Sequence, residues 1–438
     1  MMDTVKSQDD NIWAEGMNII GRLEQSGYRA YLVGGCVRDR MLGRSLHDID
    51  IATSATPEEV MALFSRTLPT GLKHGTVTVM ENGRSFEITT FRQETGYTDA
   101  RRPDQISFVL DVREDLARRD FTFNAMAIGV DGEIVDPFGG QDALRAGVVD
   151  CVGDASERFG EDALRMLRAI RFAAEFEFVL LPDVWQSIVK HRSKLKQVAL
   201  ERVSAEWDKM MAGSGPEQAC HYLFKSGLLV NVKEPLPDSF QQAAERYRFN
   251  ELPWEWDVWG TAATDEGTMG NMLQLPLISD ADLRWAALIA GIGMSEEDCT
   301  ALCRTLRISG RRAARIAGVA GFNEKLGYYD DHSLRVGWIR TVLAYGRSIA
   351  EDWLTVNEVC DPDSSAKEKT LWLNELSVTS VQELAVKGDE LCSYLGRSPG
   401  PWIAALLQQL LEEVALGGIP NDKGSLLWAA KESIGNQR

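Results

Sequence analysis

The chain predicts an α+β protein: a mixed sheet with helices in its first third, then an all-α remainder. Three observations predict it. Short β-like runs recur at 30–33, 48–52, 75–80, 86–91, 106–110 and 133–135, with one helical stretch near 57–65 among them. From about 155 onward, apolar residues fall at helical spacing and strand signals almost vanish. The breakers in that second part, 213–216 (GSGP) and 396–401 (GRSPGP), punctuate helices.

Composition narrows the class. At 438 residues the chain has length for about two to four domains. It is 44% hydrophobic and 26% charged, as ordinary globular proteins are. No apolar run approaches the ~20 residues of a membrane span. The polar start MMDTVKSQDDN shows no signal peptide, so a cytoplasmic protein is expected. Seven scattered cysteines without a C-x-x-C pair read as reduced thiols. Cys299 and Cys303 could share a helix face, but no nearby His or Cys completes a zinc set. The net charge of −18 opposes a general nucleic-acid binder. One window departs from it: residues 158–209 hold 10 Lys and Arg against 8 Asp and Glu.

The first element is an amphipathic helix over 12–28, with Ile12, Met17, Ile20 and Leu23 on one face. The stretch 31–54, YLVGGCVRDRMLGRSLHDIDIATS, follows. Leu32 and Val33 end a buried strand, and Gly34 and Gly35 let the backbone turn tightly beside a ligand. Arg38 and Asp39 then open a short helical segment. Alternation through His47, Asp48, Ile49, Asp50 and Ile51 places both carboxylates on one strand face. Adjacent carboxylates repel unless a cation lies between them, and Mg²⁺ takes one or two of them plus substrate phosphates. A glycine turn for phosphates and an Asp pair for a metal together point to nucleotidyl transfer.

Residues 86–92 (FEITTFR) alternate as a strand that could bring Glu87 beside the aspartates. Residues 95–104 (TGYTDARRPD) read as a mobile loop. Residues 118–126 (RRDFTFNAM) follow: Arg118 and Arg119 suit phosphate neutralisation, since a guanidinium can bind phosphate oxygens bidentately. Asp120 and Asn124 either reach sugar hydroxyls or cap a helix starting at Phe121. Residues 136–140 (DPFGG) read as a turn out of the sheet.

The second decisive run is 161–172, EDALRMLRAIRF. Leu164, Leu167 and Ile170 mark a buried face, and Asp162 and Arg165 are spaced as neighbours on a helix. Such a pair is an ordinary surface ion pair or a base reader. Asp accepts from the exocyclic amine of cytosine or adenine, and Arg donates to the adjoining ring nitrogen. Guanine and uracil reverse that polarity and leave both groups unpaired, which makes rejection steep. Such a pair selects CTP and ATP without a template. Glu201, Arg202 and Glu206 follow on another helix, and 253–259 (PWEWDVW) has no clear period.

Gly34–Asp50, RRDFTFNAM and EDALRMLRAIRF together resemble the signatures of the class II tRNA nucleotidyltransferase and bacterial poly(A) polymerase family, within the polymerase-β-like nucleotidyltransferases. The resemblance implies a catalytic head over 1–150, a nucleotide-selecting neck over 151–215, a body over 216–370 and a tRNA-binding tail over 371–438, elongated and helical after the head. It implies Asp48 and Asp50 as metal ligands with Glu87 as third acid, and Mg²⁺ as cofactor. Gly35 and Arg38 would hold phosphates, with Arg119 assisting and Asp120 and Asn124 near the sugar. Asp162, Arg165, Arg168 and Arg171 would read or orient base and triphosphate, supported by the ERxxxE helix. DPFGG would act as a hinge between head and neck.

The implied activity is template-independent addition of CCA to tRNA from CTP and ATP, releasing pyrophosphate. In relatives the 95–104 loop favours A addition, and 71–79 (GLKHGTVTV) resembles the tRNA-specific branch. Residues 384–389 and 396–402 resemble a Gram-positive-type tail, and no HxxxxHD pattern of a phosphohydrolase domain is present. The alternatives are an A-adding enzyme with a separate CC-adding partner, a poly(A) polymerase, or a silent RNA-binding module, against which the intact Asp48 and Asp50 speak.

Overall fold

The computed structural model describes residues 2–96, 105–249, 274–330, 332–360 and 366–435. The chain forms two compact units, 1–235 and 236–438. Of the run 95–104, expected to be a loop, all but 95 and 96 lie outside the described residues, as does the segment 253–259.

The first unit opens with α1 (Met2–Gln25), which buries Ile19, Ile20 and Leu23. It begins ten residues before the apolar stripe that predicted a helix over 12–28. Its polar start is pinned instead by side chains: Asp9 accepts from the Leu46 amide at 3.2 Å, and Asp10 pairs with Arg40 at 2.7 Å. Strand β1 (Ala30–Val33), helix α2 (Gly35–Met41), strand β2 (Asp50–Thr53) and helix α3 (Pro57–Leu63) follow. A capping box starts α3: Thr56 and Glu59 each satisfy the other's backbone amide. Next come β3 (Thr67–Gly71), β4 (Thr76–Glu81), β5 (Arg84–Thr90), β6 (Arg92–Thr95), β7 (Gln105–Phe108), α4 (Val112–Ala117), β8 (Ala127–Ile128) and β9 (Ile134–Val135).

Seven strands make one mixed sheet in the order β3-β4-β5-β2-β1-β8-β9. Only β2 and β5 pair in parallel, and the hairpin β4–β5 turns at Asn82 and Gly83, both with positive φ. Strands β3 and β8 carry no alternation long enough to predict. Each is short and is held by its neighbours.

Helix α5 (Gly140–Ala146) begins where Asp136 accepts from the amides of Gly140 and Gln141 at 2.7 and 2.9 Å. The DPFGG turn therefore caps a helix. A Cβ on Gly140 would stand 2.5 Å from the Thr122 carbonyl oxygen, so only glycine fits there. Beyond it lie β10 (Val148–Val149), α6 (Ala155–Glu161), α7 (Leu164–Phe176), β11 (Val179–Leu180), α8 (Pro182–His191), α9 (Leu200–Ala212) and α10 (Pro216–Ser226). β10 and β11 pair in parallel, one strand pair inside an otherwise helical stretch. Phe121 and Phe123 pack with Phe172 at ring separations of 5.7 and 5.5 Å, which seats α7 on the sheet side of the unit.

Among its described residues, every secondary-structure element of the second unit is a helix. Phe322, Trp338 and Trp353 pack together with Trp338 fully buried. Towards the C-terminus, Leu391, Leu410, Leu426 and Ala430 form a second apolar core.

Candidate active site

The site is built from four adjoining pieces of the first unit. The first is the turn between β1 and α2. Gly34 has φ +75°, and a Cβ there would lie 2.5 Å from Arg119 Nη1. The positive φ is what favours glycine here, since the Arg119 tip could move aside for a Cβ. Gly35 opens α2 with ordinary space around it.

The second piece is the pair β2 and β5. Asp48 and Asp50 are exposed while Ile49 and Ile51 are buried, so the predicted alternation holds, although only Asp50 lies in the strand proper. Glu87 is the direct parallel partner of Asp50, which brings the third acid beside the pair. The Asp50 carboxyl titrates above its usual range. Desolvation is the main cause, and the Glu87 and Asp48 charges add to it, while Arg119 opposes them. Its tip meets solvent, yet protein atoms displace much of the surrounding water. A carboxylate cluster whose repulsion is incompletely offset is a fitting seat for a hard divalent cation. Among the described residues no three His, Cys, Asp or Glu side chains could enclose a metal by themselves, so substrate oxygens would complete the set.

The third piece is the RRDFTFNAM run. Arg119 sits between the glycine turn and Asp50: Nη1 donates to the Asn124 carbonyl at 3.3 Å, and Nε has no hydrogen-bond partner. Asp120 and Asn124 are buried and already engaged. Asp120 Oδ1 accepts from the Phe121 amide (2.9 Å) and Asn124 Nδ2 (3.1 Å), and Oδ2 accepts from Arg168 Nε (2.7 Å). Asn124 Oδ1 in turn accepts from Arg38 Nη1 at 2.6 Å. Arg38 grips Asp39 through two bonds of 2.9 Å and lies over the rings of Phe172 and Phe176. The chain Asp39–Arg38–Asn124–Asp120–Arg168 thus ties the glycine turn to α7. Burial would raise the Asp120 carboxyl, but Arg168, Asn124 and Arg165 outweigh it and bring it down to about 2. Arg118 is occupied elsewhere, pairing with Asp115 and Glu94.

The fourth piece corrects one expectation. EDALRMLRAIRF is two helices, not one: α6 ends at Glu161 and α7 begins at Leu164. Asp162 lies in extended backbone between them, where its Oδ1 accepts from the Leu164 amide at 3.0 Å. A short acidic side chain that caps the next amide competes with helix continuation, which the spacing could not show. Asp162 and Arg165 therefore do not pair along a helix. Asp162 binds Arg202 of α9 at 2.8 Å. Arg165 pairs with Glu161 and donates to the carbonyls of Arg158 and Arg118, each at 3.1 Å. Arg168 faces Asp120. Arg171 is drawn the other way, to Glu175 and to buried Glu206 of α9, both at 2.8 Å, and lies over Phe172.

Side-chain contacts thus link Arg38, Asn124, Asp120 and Arg168, and strand pairing sets Glu87 beside Asp50, whereas Asp162 and Arg171 are both drawn to α9, by Arg202 and Glu206. Residues not singled out at first are Asp39, Arg158 and the five-phenylalanine cluster at 121, 123, 172, 176 and 178. Asp39 was visible beside Arg38. The others had no local signal. Cys36, inside the glycine turn, has its thiol pushed up to about 12 by burial and is unreactive.

Family models match three stretches of the chain: the poly A polymerase head domain over 30–150, a probable RNA and SrmB-binding site of polymerase A over 177–237, and a putative tRNA nucleotidyltransferase domain 2 over 278–430. A CCA-adding enzyme of Bacillus cereus is 37% identical over 412 residues, 93% of this chain and 95% of its own. That of Geobacillus stearothermophilus is 34% identical over 413 residues, covering 93% and 94%. The crystal structure of the Bacillus stearothermophilus CCA-adding enzyme in complex with CTP superimposes with a TM-score of 0.77 at 30% identity, covering 97% and 98% of the two chains. The fold is also shared with the Thermotoga maritima CCA-adding enzyme complexed with tRNA, at a TM-score of 0.62 and 20% identity, covering 97% and 96%.

Proposed function

The chain belongs to the CCA-adding enzymes of the tRNA nucleotidyltransferase and poly(A) polymerase family, and from that premise we propose that it adds CCA to the 3′ end of tRNA from CTP and ATP. The single observation that carries the reading is the adjacency of Asp50 and Glu87 across β2 and β5, beside the Gly34–Arg119 contact. Acid for a metal and guanidinium for a triphosphate stand together there, as nucleotidyl transfer requires. Relatives bound to CTP and to tRNA support the substrates.

In this reading Asp48 and Asp50 hold Mg²⁺, with Glu87 beside them. When bound, the metal supplies charge neutralisation for the triphosphate, acidification of the 3′-hydroxyl and stabilisation of the departing pyrophosphate. Gly35 lets the backbone approach the phosphates, and the Arg119 guanidinium supplies positive charge beside that turn. Arg38, Asn124, Asp120 and Arg168 hold the glycine turn against α7, so that phosphates and base are gripped in one geometry. Asp162 accepts from the exocyclic amine and Arg165 donates to the ring nitrogen, with Arg202 and Glu161 keeping both in place. Arg171 keeps α7 aligned through Glu206. Head, neck, body and tail would divide at 150, 215 and 370. Among the described residues no helix is long and apolar enough to cross a membrane. In this reading the enzyme would work on tRNA in the cytoplasm.

Transcripts ending before CCA and after CC, incubated with labelled CTP or ATP and Mg²⁺, test the reading. Full CCA addition to the shorter transcript is expected. A addition to the longer transcript without C addition to the shorter one would mark an A-adding enzyme, and long A tails on generic RNA a poly(A) polymerase.

Base selection has its own test. Asp162→Ala should relax discrimination against UTP and GTP roughly ten- to a hundredfold, the worth of one unsatisfied polar group. It should do so more than it lowers kcat for CTP. The kcat/KM ratios measure it, and unchanged ratios would remove Asp162 from base reading. Asp162→Asn, which keeps an acceptor for the Leu164 amide, separates selection from the loss of that cap.

A further inference from the structure

The two aspartates read as metal ligands are held in different ways. Asp50 opens β2 and is paired on both sides, with Val33 of β1 and Glu87 of β5. Asp48 lies in the irregular stretch 44–49 between α2 and β2, and among the described residues it has no strand partner. Mg²⁺ demands near-ideal octahedral geometry from its ligands. Something other than strand pairing must therefore fix the Asp48 backbone.

That stretch is strung between two helices. At its start the Arg44 amide donates to the Asp39 carbonyl at 2.9 Å, and the Arg44 side chain reaches Glu175 of α7 at 3.1 Å and lies over the Phe176 ring. In its middle Leu46 is buried, and its amide donates to Asp9 Oδ1 of α1 at 3.2 Å. At its end Ile49 is buried against α1, where a Cβ on Gly16 would stand 3.0 Å from Ile49 Cγ2. Asp48 falls between the last two contacts.

The ordinary role of an acid near a helix start does not account for Asp9. Such an acid offsets the macrodipole within the first turn, and Asp9 lies about 10 Å along the axis from Met2, where α1 begins. Its neighbour Asp10 pairs with Arg40, but those side chains are 56% and 41% exposed, and pairs so exposed contribute little. Asp9 is half-buried, and its carboxylate makes a charge-assisted bond to a backbone amide. That amide belongs to the stretch that carries Asp48.

We propose that Asp9 is a positioning residue for Asp48: by holding the Leu46 amide it fixes the 44–49 stretch, and with it the direction from which Asp48 meets the metal. The inference rests on the reading of Asp48 and Asp50 as metal ligands and adds to it a residue of α1 that touches no reacting atom. Residues that orient a metal ligand are commonly worth about ten- to a hundredfold in metal affinity. Water can partly replace Asp9 at the Leu46 amide, which sets the effect near the lower figure.

The test uses the full chain, Mn²⁺ as the probe, and an α,β-methylene analogue of CTP that cannot be transferred. Electron paramagnetic resonance reads free Mn²⁺, so no turnover enters the measurement. Asp9→Ala should weaken Mn²⁺ binding about tenfold and raise the Mg²⁺ needed for half-maximal C addition by the same factor. Its kcat at saturating Mg²⁺ and its KM for tRNA should stay at wild-type values. Alanine favours the helix, so α1 is kept, and thermal unfolding checks this. Asp9→Asn, whose side-chain oxygen still accepts from Leu46, should bind Mn²⁺ as wild type does, and so should Asp10→Ala, which removes only the exposed pair. Wild-type Mn²⁺ affinity in Asp9→Ala would overturn the proposal. So would an Asp9→Asn variant as weak as Asp9→Ala, because charge rather than the hydrogen bond would then be the cause. Equal weakening by Asp10→Ala would overturn it too, by spreading the effect over α1. Wild type that binds no Mn²⁺ beside the analogue would instead overturn the metal reading of Asp48 and Asp50.

Discussion

Asp50→Ala and Asp48→Ala are each expected to lower kcat for C and A addition by on the order of 10³-fold or more. Removing a ligand of the metal site forfeits several kcal/mol of transition-state charge stabilisation, at about 1.4 kcal/mol per factor of ten. The Asp50 variant should also fold at least as well as wild type. The Asp50 carboxyl titrates above its usual range, through desolvation first and the Glu87 and Asp48 charges after it. An acid whose folded pKa exceeds its unfolded pKa costs the native state stability above that range, and the cost fades as the pH falls. Deleting it removes the cost. Single-turnover addition of labelled nucleotide and thermal unfolding measure the two effects. Retained activity would dismiss the metal assignment, and a sharply lowered Tm would mark a structural carboxylate.

The second large effect is on stability. Asp120→Asn should destabilise the first unit by about 3–5 kcal/mol, because Arg168 then keeps a mostly buried charge without its partner. The same substitution should alter the acid dependence. Asp120 titrates at about 2 in the fold, below the ordinary aspartate value. A depressed carboxyl contributes stability that is present above its unfolded pKa and lost as the pH falls through the folded one. Wild type should therefore lose this contribution between about pH 4 and pH 2, and Asp120→Asn should lose less over that window. Denaturant unfolding at pH 7 and along that window gives both numbers. Equal stability at pH 7 would mean that the Asp39–Arg38–Asn124–Asp120–Arg168 chain does not hold the glycine turn to α7.

Asp120 also shows why a motif was legible while its geometry was not. RRDFTFNAM suggested phosphate chemistry, and Arg119 stands beside the glycine turn and Asp50. The same run left Asp120 open between sugar contact and helix capping, since either needs only a short acid near an amide. What decides is Arg168, which is 48 residues away and brought in by α7.

EDALRMLRAIRF behaves alike. Its apolar spacing places Leu164, Leu167 and Ile170 in the core, as expected. Helical spacing wrongly paired Asp162 with Arg165, because the break after Glu161 depends on a side-chain cap and on Arg202 from another helix. Strands β3, β8, β10 and β11 escaped for a third reason: pairs of two to five residues draw their stability from the partner strand rather than their own alternation.

The sequence by itself determined what is local. The Asp48 to Ile51 alternation, the glycine turn that only Gly34 can make, and the division into a sheet-bearing head and a helical remainder all follow from period and backbone freedom. Tertiary structure alone decided the partners: Glu87 beside Asp50 through parallel pairing, Arg202 on Asp162, and Glu206 on Arg171. A side chain's charge is written at its own position. The charge that answers it arrives from residues tens of positions away, and only packing sets which one comes within 3 Å.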